Sequence, residues 1–156
     1  MRLSEILNPA CIKVPLSATN KQDALFELVD MLGTAGVVTQ IQELKDAVWK
    51  REQTRTTGIG HGIGIPHGKT ACLQELHMAI GLPATPIEFG AIDSKPVELI
   101  ILLASPADQT GPHIQALAKI SRMLTDDTFR EAVKKAESAE KLYEMLIAHE
   151  AQLAGA

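Results

Sequence analysis

A chain of 156 residues with 46% hydrophobic content is long enough to bury one sizeable core and too short for two independent ones, so one domain spanning 1–156 is expected. Fifteen basic residues against nineteen acidic ones leave a net charge of −4, and the few aromatics are scattered (Phe26, Trp49, Phe89, Phe129, Tyr143), which excludes nucleic acid as the main partner. The longest apolar run, LIILLA at 99–104, is far short of the roughly 18 residues of a membrane span, and the start MRLSEILNPAC has no apolar stretch of signal-peptide length, so a cytoplasmic protein is expected.

In chain order, a short opening turn leads into CIKV (11–14), which reads as a strand whose extent is limited by Pro15. A helix is predicted from Lys21 to Thr34, where Leu25, Leu28, Val29 and Leu32 recur at helical spacing and Gly33 and Gly36 supply permissive backbone near its end. A second helix, 41–53, aligns Ile41, Leu44, Ala47 and Val48 on one face and carries Arg51 and Glu52 in its last turn. Extended segments follow at LHMAIGL (76–82), PIEFG (86–90) and VELIILLAS (97–105); the last is apolar enough for a central strand buried on both faces. Three closing helices are predicted: one entered through TGPHIQ, with Thr110 or Gly111 as cap and Pro112 at its first position, then 127–135 and 139–152. Helices alternating with strands make the fold class α/β, a mixed β-sheet flanked by α-helices.

Between the second helix and the later strands lies TGIGHGIGIPHG (57–68), with five glycines and two histidines. Its glycines fail the spacings of phosphate-binding loops. GKT is present at 68–70, but a P-loop would need glycine at position 63, which is Ile63. The dinucleotide fingerprint would need glycine at Ile63, Ile65 or His67. Metal ligation has no diagnostic spacing either, since six residues of glycine-rich chain between His61 and His67 constrain almost nothing, and His61 reads as an exposed loop histidine. Cys11 and Cys72 form no CxxC pair and read as packing residues in a reducing compartment.

The remaining chemistry is that of a histidine presented for itself. Pro66 fixes one backbone torsion immediately before His67, while Gly62, Gly64 and Gly68 let the chain turn sharply and approach an incoming group. A neutral imidazole nitrogen is a competent nucleophile near neutral pH, and a phosphoryl group attached to it needs donors for three oxygens. Arg51 offers a guanidinium fork, and His113 sits near a helix start, where the partial positive charge favours an anion and a neutral ring. From spacing alone, His67 also reads as a loop-packing histidine, Arg51 as a solvated helix charge and His113 as an ordinary first-turn residue, because no sequence rule brings 51, 67 and 113 together.

The run REQTRTTGIGHGIGIPHG (51–68) resembles the active-site signature of the phosphotransferase-system (PTS) enzyme IIA family of the fructose, mannitol and nitrogen-regulatory type. The likeness continues through VELIILLASP and GPHIQALAKIS. It implies a mixed sheet with helices on both faces, no cofactor, and a phosphohistidine relay in which His67 accepts a phosphoryl group from the histidine phosphocarrier protein. His113 and Arg51 match the family's supporting residues, and Glu52 also fits the pattern. Gly64 departs from the family's usual alanine, a change expected to loosen the loop, and His61 inherits no role. The implied outputs are regulatory targets for a nitrogen-regulatory IIA, or a IIB cysteine for a sugar-specific one. The absence of fused IIB, IIC or carrier segments favours the stand-alone regulator. A non-catalytic binding module is the reading of another class, disfavoured because such a descendant has no need of all three residues.

Overall fold

The apolar run at 99–106 forms the strand around which the rest is arranged. In the computed structural model, which describes residues 1–154, this strand is β6 (Leu99–Pro106), and all eight of its residues are buried. On one side it pairs antiparallel with β5 (His77–Pro83), which pairs parallel with β1 (Leu7–Leu16). On the other side its first half pairs parallel with β3 (Ile63–Gly64) and its second half with β4 (His67–Thr70), while β2 (Gly58–Gly60) closes the edge against β3. A strand with neighbours on both sides and helices over both faces has no surface left for water, which is why its sequence is continuously apolar rather than alternating.

Two helical layers cover this six-stranded mixed sheet. α2 (Lys21–Thr34) and α3 (Ile41–Thr54) pack together and against β1, β5 and β4. The opposite face receives α1 (Leu3–Ile6), α4 (Thr110–Met123), α5 (Asp127–Val133) and α6 (Ala139–Ala154). There Ile80, Leu99 and Ile101 of the sheet meet Ile120, Met123, Val133, Leu142 and Leu146 of the helices. Burying a side chain of this size stabilises by roughly 1.5–3 kcal/mol, so the two apolar layers are the main source of stability. Helix starts are fixed locally: Asn20 accepts from Asp23 N–H at 2.9 Å, and Asp126 from Phe129 N–H at 3.1 Å.

Four local expectations differ from the structure. β1 runs past Pro15 and includes Pro9, which an edge strand tolerates because an amide facing away from the sheet has no ladder partner to lose. PIEFG is not a strand; only an isolated bridge joins Ile87 to Val97, and Gly90 turns the chain at φ +65°. α4 begins two residues early, with Gln109 at the N-cap and Pro112 third in the helix, where the missing amide still costs no intrahelical bond. The glycine-rich segment is not an open loop: it contains β2, β3 and β4, and His67 opens a strand.

Candidate active site

The register of β4 on β6 decides where the histidine of IPH points. His67 lies opposite Leu103 and Lys69 opposite Ser105 in a parallel ladder, so His67 and Lys69 share one face, two residues apart. The ladder is entered through Pro66, whose carbonyl accepts from Leu103 N–H at 3.0 Å.

The residue between them carries the close approach. A Cβ on Gly68 would stand 2.7 Å from Val48 Cγ2 and 3.1 Å from the Val48 amide nitrogen, so only glycine lets α3 pack this tightly on β4. Arg51 follows Val48 by three residues on the same helix face and is thereby carried to His67. From the other layer, the first turn of α4 brings in His113. One open cavity of about 580 Å³ is lined by Lys50, Arg51, Thr54, His67, Lys69 and His113. The three residues singled out from the sequence therefore converge, and two further cations join them.

Hydrogen bonding fixes the chemical state of His67. Its Nδ1 lies 3.0 Å from the Ile65 carbonyl, an oxygen that only accepts, so Nδ1 carries the proton and Nε2 bears the lone pair. Among the described residues the one buried side-chain polar atom without a partner is His149 Nε2. Among the described residues the Nε2 atoms of His67 and His113 have no hydrogen-bond partner either, but they are not fully buried and both rings line the cavity. The two rings meet edge to face with centroids 5.2 Å apart.

Both rings are held neutral. Burial is the largest cause lowering the pKa of His67, with the Arg51 and Lys69 charges adding to it and the Ile65 carbonyl and Glu52 opposing. His113, 4% exposed, is lowered to about 4 by burial first and then by His67, Lys69 and Arg51. The same cations that keep a proton off these rings favour an incoming dianion. Arg51 spends one Nη1–H on the Arg55 carbonyl at 2.9 Å, which anchors its fork at the end of α3.

Glu52 faces away from the cavity and ties its wall together. Buried at 3% exposure, its carboxylate accepts from Thr57 N–H at 2.8 Å, Thr57 Oγ1 at 2.5 Å and Lys21 Nζ at 2.7 Å. It thus staples the end of α3 to the start of the glycine-rich segment. The glycines there divide into two kinds. Gly60 and Gly62, at φ +96° and +77°, form the β2–β3 turn, whereas Gly64 and Gly68 are buried positions where a neighbour packs too close for a side chain, Gly68 also lining the cavity. His61 is exposed at that turn and is not among the residues that line the cavity. Among the described residues no three His, Cys, Asp or Glu side chains are grouped to hold a metal ion, and no helix is long and apolar enough to cross a membrane.

A family model described as "Phosphoenolpyruvate-dependent sugar phosphotransferase system, EIIA 2" matches residues 5–149. The chain belongs to this family. Among its relatives, the nitrogen regulatory protein of Klebsiella oxytoca is 36% identical over 94% of this chain and 90% of its own length. The fructose-specific EIIABC component of Bacillus subtilis is 29% identical over 96% of this chain, which spans 24% of that longer protein. The crystal structure of the nitrogen regulatory protein IIA-Ntr from Neisseria meningitidis superposes with a TM-score of 0.85 at 28% identity, covering 92% of this chain and 98% of that one. The EIIA 2 fold expected from the resemblance is the one observed.

Sequence reasoning missed Lys50, Lys69 and Ser105 around this EIIA 2 cavity. Lys69 was within reach: reading HGKT as a strand places it on the face of His67 by alternation alone. Ser105 carries no local signal, because its importance depends on which helix turn lies above it.

Proposed function

We propose that His67 of this EIIA 2 chain accepts a phosphoryl group from the histidine phosphocarrier protein, with Arg51 and His113 stabilising the phosphohistidine. The observation that carries this reading is the bare, solvent-facing Nε2 of His67 in a cavity shared with Arg51, Lys69 and His113. In the transfer, the Nε2 lone pair forms the new N–P bond while the donor's N–P bond breaks and returns its electron pair to the donor imidazole. No proton has to leave the attacking nitrogen. The Nδ1–H bond to the Ile65 carbonyl stabilises the positive charge that the ring acquires. The cations in the cavity offset charge on the equatorial phosphoryl oxygens, so catalysis consists of positioning and electrostatics.

The whole chain, 1–156, is read as one EIIA type 2 unit of the nitrogen-regulatory branch, which acts by changing which regulatory proteins it binds when phosphorylated. This is supported by the extent of the match to the Klebsiella protein and by the fit to the Neisseria structure. The match to the fructose-specific EIIABC component favours a second reading, in which the phosphoryl group passes to a IIB cysteine. Incubating the protein with phosphoenolpyruvate, enzyme I and the phosphocarrier is expected to give acid-labile labelling of the wild type and none of His67→Ala. Full labelling of His67→Ala removes His67 as the acceptor. Subsequent addition of a fructose-type IIB separates the two outputs, since rapid loss of label to its cysteine supports transport.

A further inference from the structure

Ser105 is wholly buried near the end of β6, and its hydroxyl lies 2.5 Å from Nδ1 of His113. Among the described residues this is the only side-chain hydrogen bond of that hydroxyl. Ser105 is also the residue of β6 that lies opposite Lys69, so it sits behind two residues that line the cavity, Lys69 and His113, without lining it itself. Burial and the surrounding cations keep the His113 ring neutral, leaving two possible tautomers.

If His113 carried its proton on Nδ1, Ser105 would have to accept it, leaving the hydroxyl's own hydrogen without an acceptor in a site that water does not reach. Orphaned buried donors are costlier than under-used oxygen lone pairs. A bare Nε2 would also face the phosphoryl oxygens, lone pair against anion. If Ser105 instead donates to Nδ1, its hydrogen is satisfied and the proton of His113 sits on Nε2, directed into the cavity.

We propose that Ser105 is a positioning residue that fixes His113 as the Nε2–H tautomer, so that the ring presents a donor to a phosphoryl group on His67. The proposal rests on the reading of His67 as the acceptor. The two histidines then have opposite tautomers for opposite tasks. A main-chain carbonyl beside His67 accepts its Nδ1–H and leaves Nε2 free to attack phosphorus. A serine hydroxyl beside His113 donates a hydrogen bond to Nδ1 and so keeps Nε2–H for the phosphoryl oxygen.

The test uses the full chain, ¹⁵N-labelled and unphosphorylated, with long-range ¹H–¹⁵N imidazole spectra of wild type, Ser105→Ala and Ser105→Thr, alongside phosphoryl-transfer rates. Wild-type His113 is expected to show the Nε2–H pattern and Ser105→Ala a mixture of tautomers, with transfer slowed roughly 10-fold, less than the about 100- to 1000-fold cost of deleting a transition-state donor because a mixture still presents it part of the time. Ser105→Thr, which keeps the hydroxyl, is expected to restore both readouts. An unchanged His113 tautomer in Ser105→Ala overturns the proposal, as does a changed tautomer with an unchanged transfer rate. Absence of labelling in the wild type overturns the phosphoryl-carrier reading instead, and because the tautomer is read without phosphate the two failures are distinguishable.

Discussion

A Cβ built on Gly64 would stand 2.9 Å from Cε2 and 3.1 Å from Cζ of Phe89, whose buried ring fills the space that a larger residue would take. Phe89 cannot readily retreat, because its carbonyl accepts from Lys21 Nζ at 2.8 Å and Thr56 Oγ1 at 3.0 Å, and the same ammonium lies 4.6 Å from the ring centroid. The departure from the family's alanine was expected to loosen the segment, but glycine at this position leaves no free space. It admits a ring that locks β3 in place.

Gly64→Ala is therefore predicted to destabilise the fold by about 1–3 kcal/mol, the usual cost of overpacking a filled core. Urea denaturation measures this directly, and Phe89→Leu in the same chain should recover part of the loss. A neutral Gly64→Ala would show that the ring adjusts freely.

Protonation of His113 couples stability to pH. Its folded pKa of about 4 lies below the ordinary 6.5, so the unfolded chain binds more protons between these values and stability falls as pH is lowered from about 6.5 to about 4. The shift corresponds to about 3 kcal/mol at roughly 1.4 kcal/mol per pH unit. Comparing denaturation curves of wild type and His113→Gln across this window isolates the contribution, and parallel pH profiles would contradict it.

His113→Ala is predicted to slow phosphoryl transfer about 100- to 1000-fold, the scale of a lost transition-state donor. It should also cost about 1–3 kcal/mol of stability, because the Ser105 hydroxyl is left buried without its partner. Transfer kinetics and a melting curve on the same sample check both halves of the statement.

Lys69 is exposed, and its charge acts on both rings in the direction that disfavours their protonation. Lys69→Gln should raise the apparent pKa of both His67 and His113, leave stability unchanged and slow phosphoryl acceptance several-fold, as expected for the loss of one charge beside a developing anion. An NMR titration of the imidazole protons reads the first effect. Unmoved titration curves would place the ammonium too far away to matter.

Glu52→Ala is predicted to destabilise by about 1–3 kcal/mol, since it leaves the buried Thr57 N–H and hydroxyl without their acceptor, while half-buried Lys21 keeps the Phe89 carbonyl. Glu52→Gln, which keeps an acceptor, should cost less. If phosphoryl transfer falls in Glu52→Gln while the fold persists, the staple between α3 and the glycine-rich segment also positions His67.

The helices at 21–34, 41–54 and 110–123 and the central strand were legible because their patterns are long, periodic and self-consistent. The strands inside 57–70 were not: two to four residues are too few for a period to register, and glycine has no side chain to mark a face. The same brevity hid the role of Lys69. Gly64 and Gly68 were read as letting the chain turn sharply because conformational freedom is what glycine offers locally, whereas at both it is Phe89 and Val48 that leave no room for a side chain.

By itself the sequence singled out His67 as the candidate nucleophile, since a histidine behind a proline in a glycine-rich run is a local signal, and it determined the alternation that makes an α/β sheet. Only the tertiary structure decided that Arg51, Lys69 and His113 share a cavity with that ring and that its Nδ1 carries the proton. The reason is that convergence comes from register and layer packing. Strand β4 lies beside β6, α3 presses on Gly68 from one layer and α4 begins over Ser105 from the other, and none of these distances is encoded in separation along the chain.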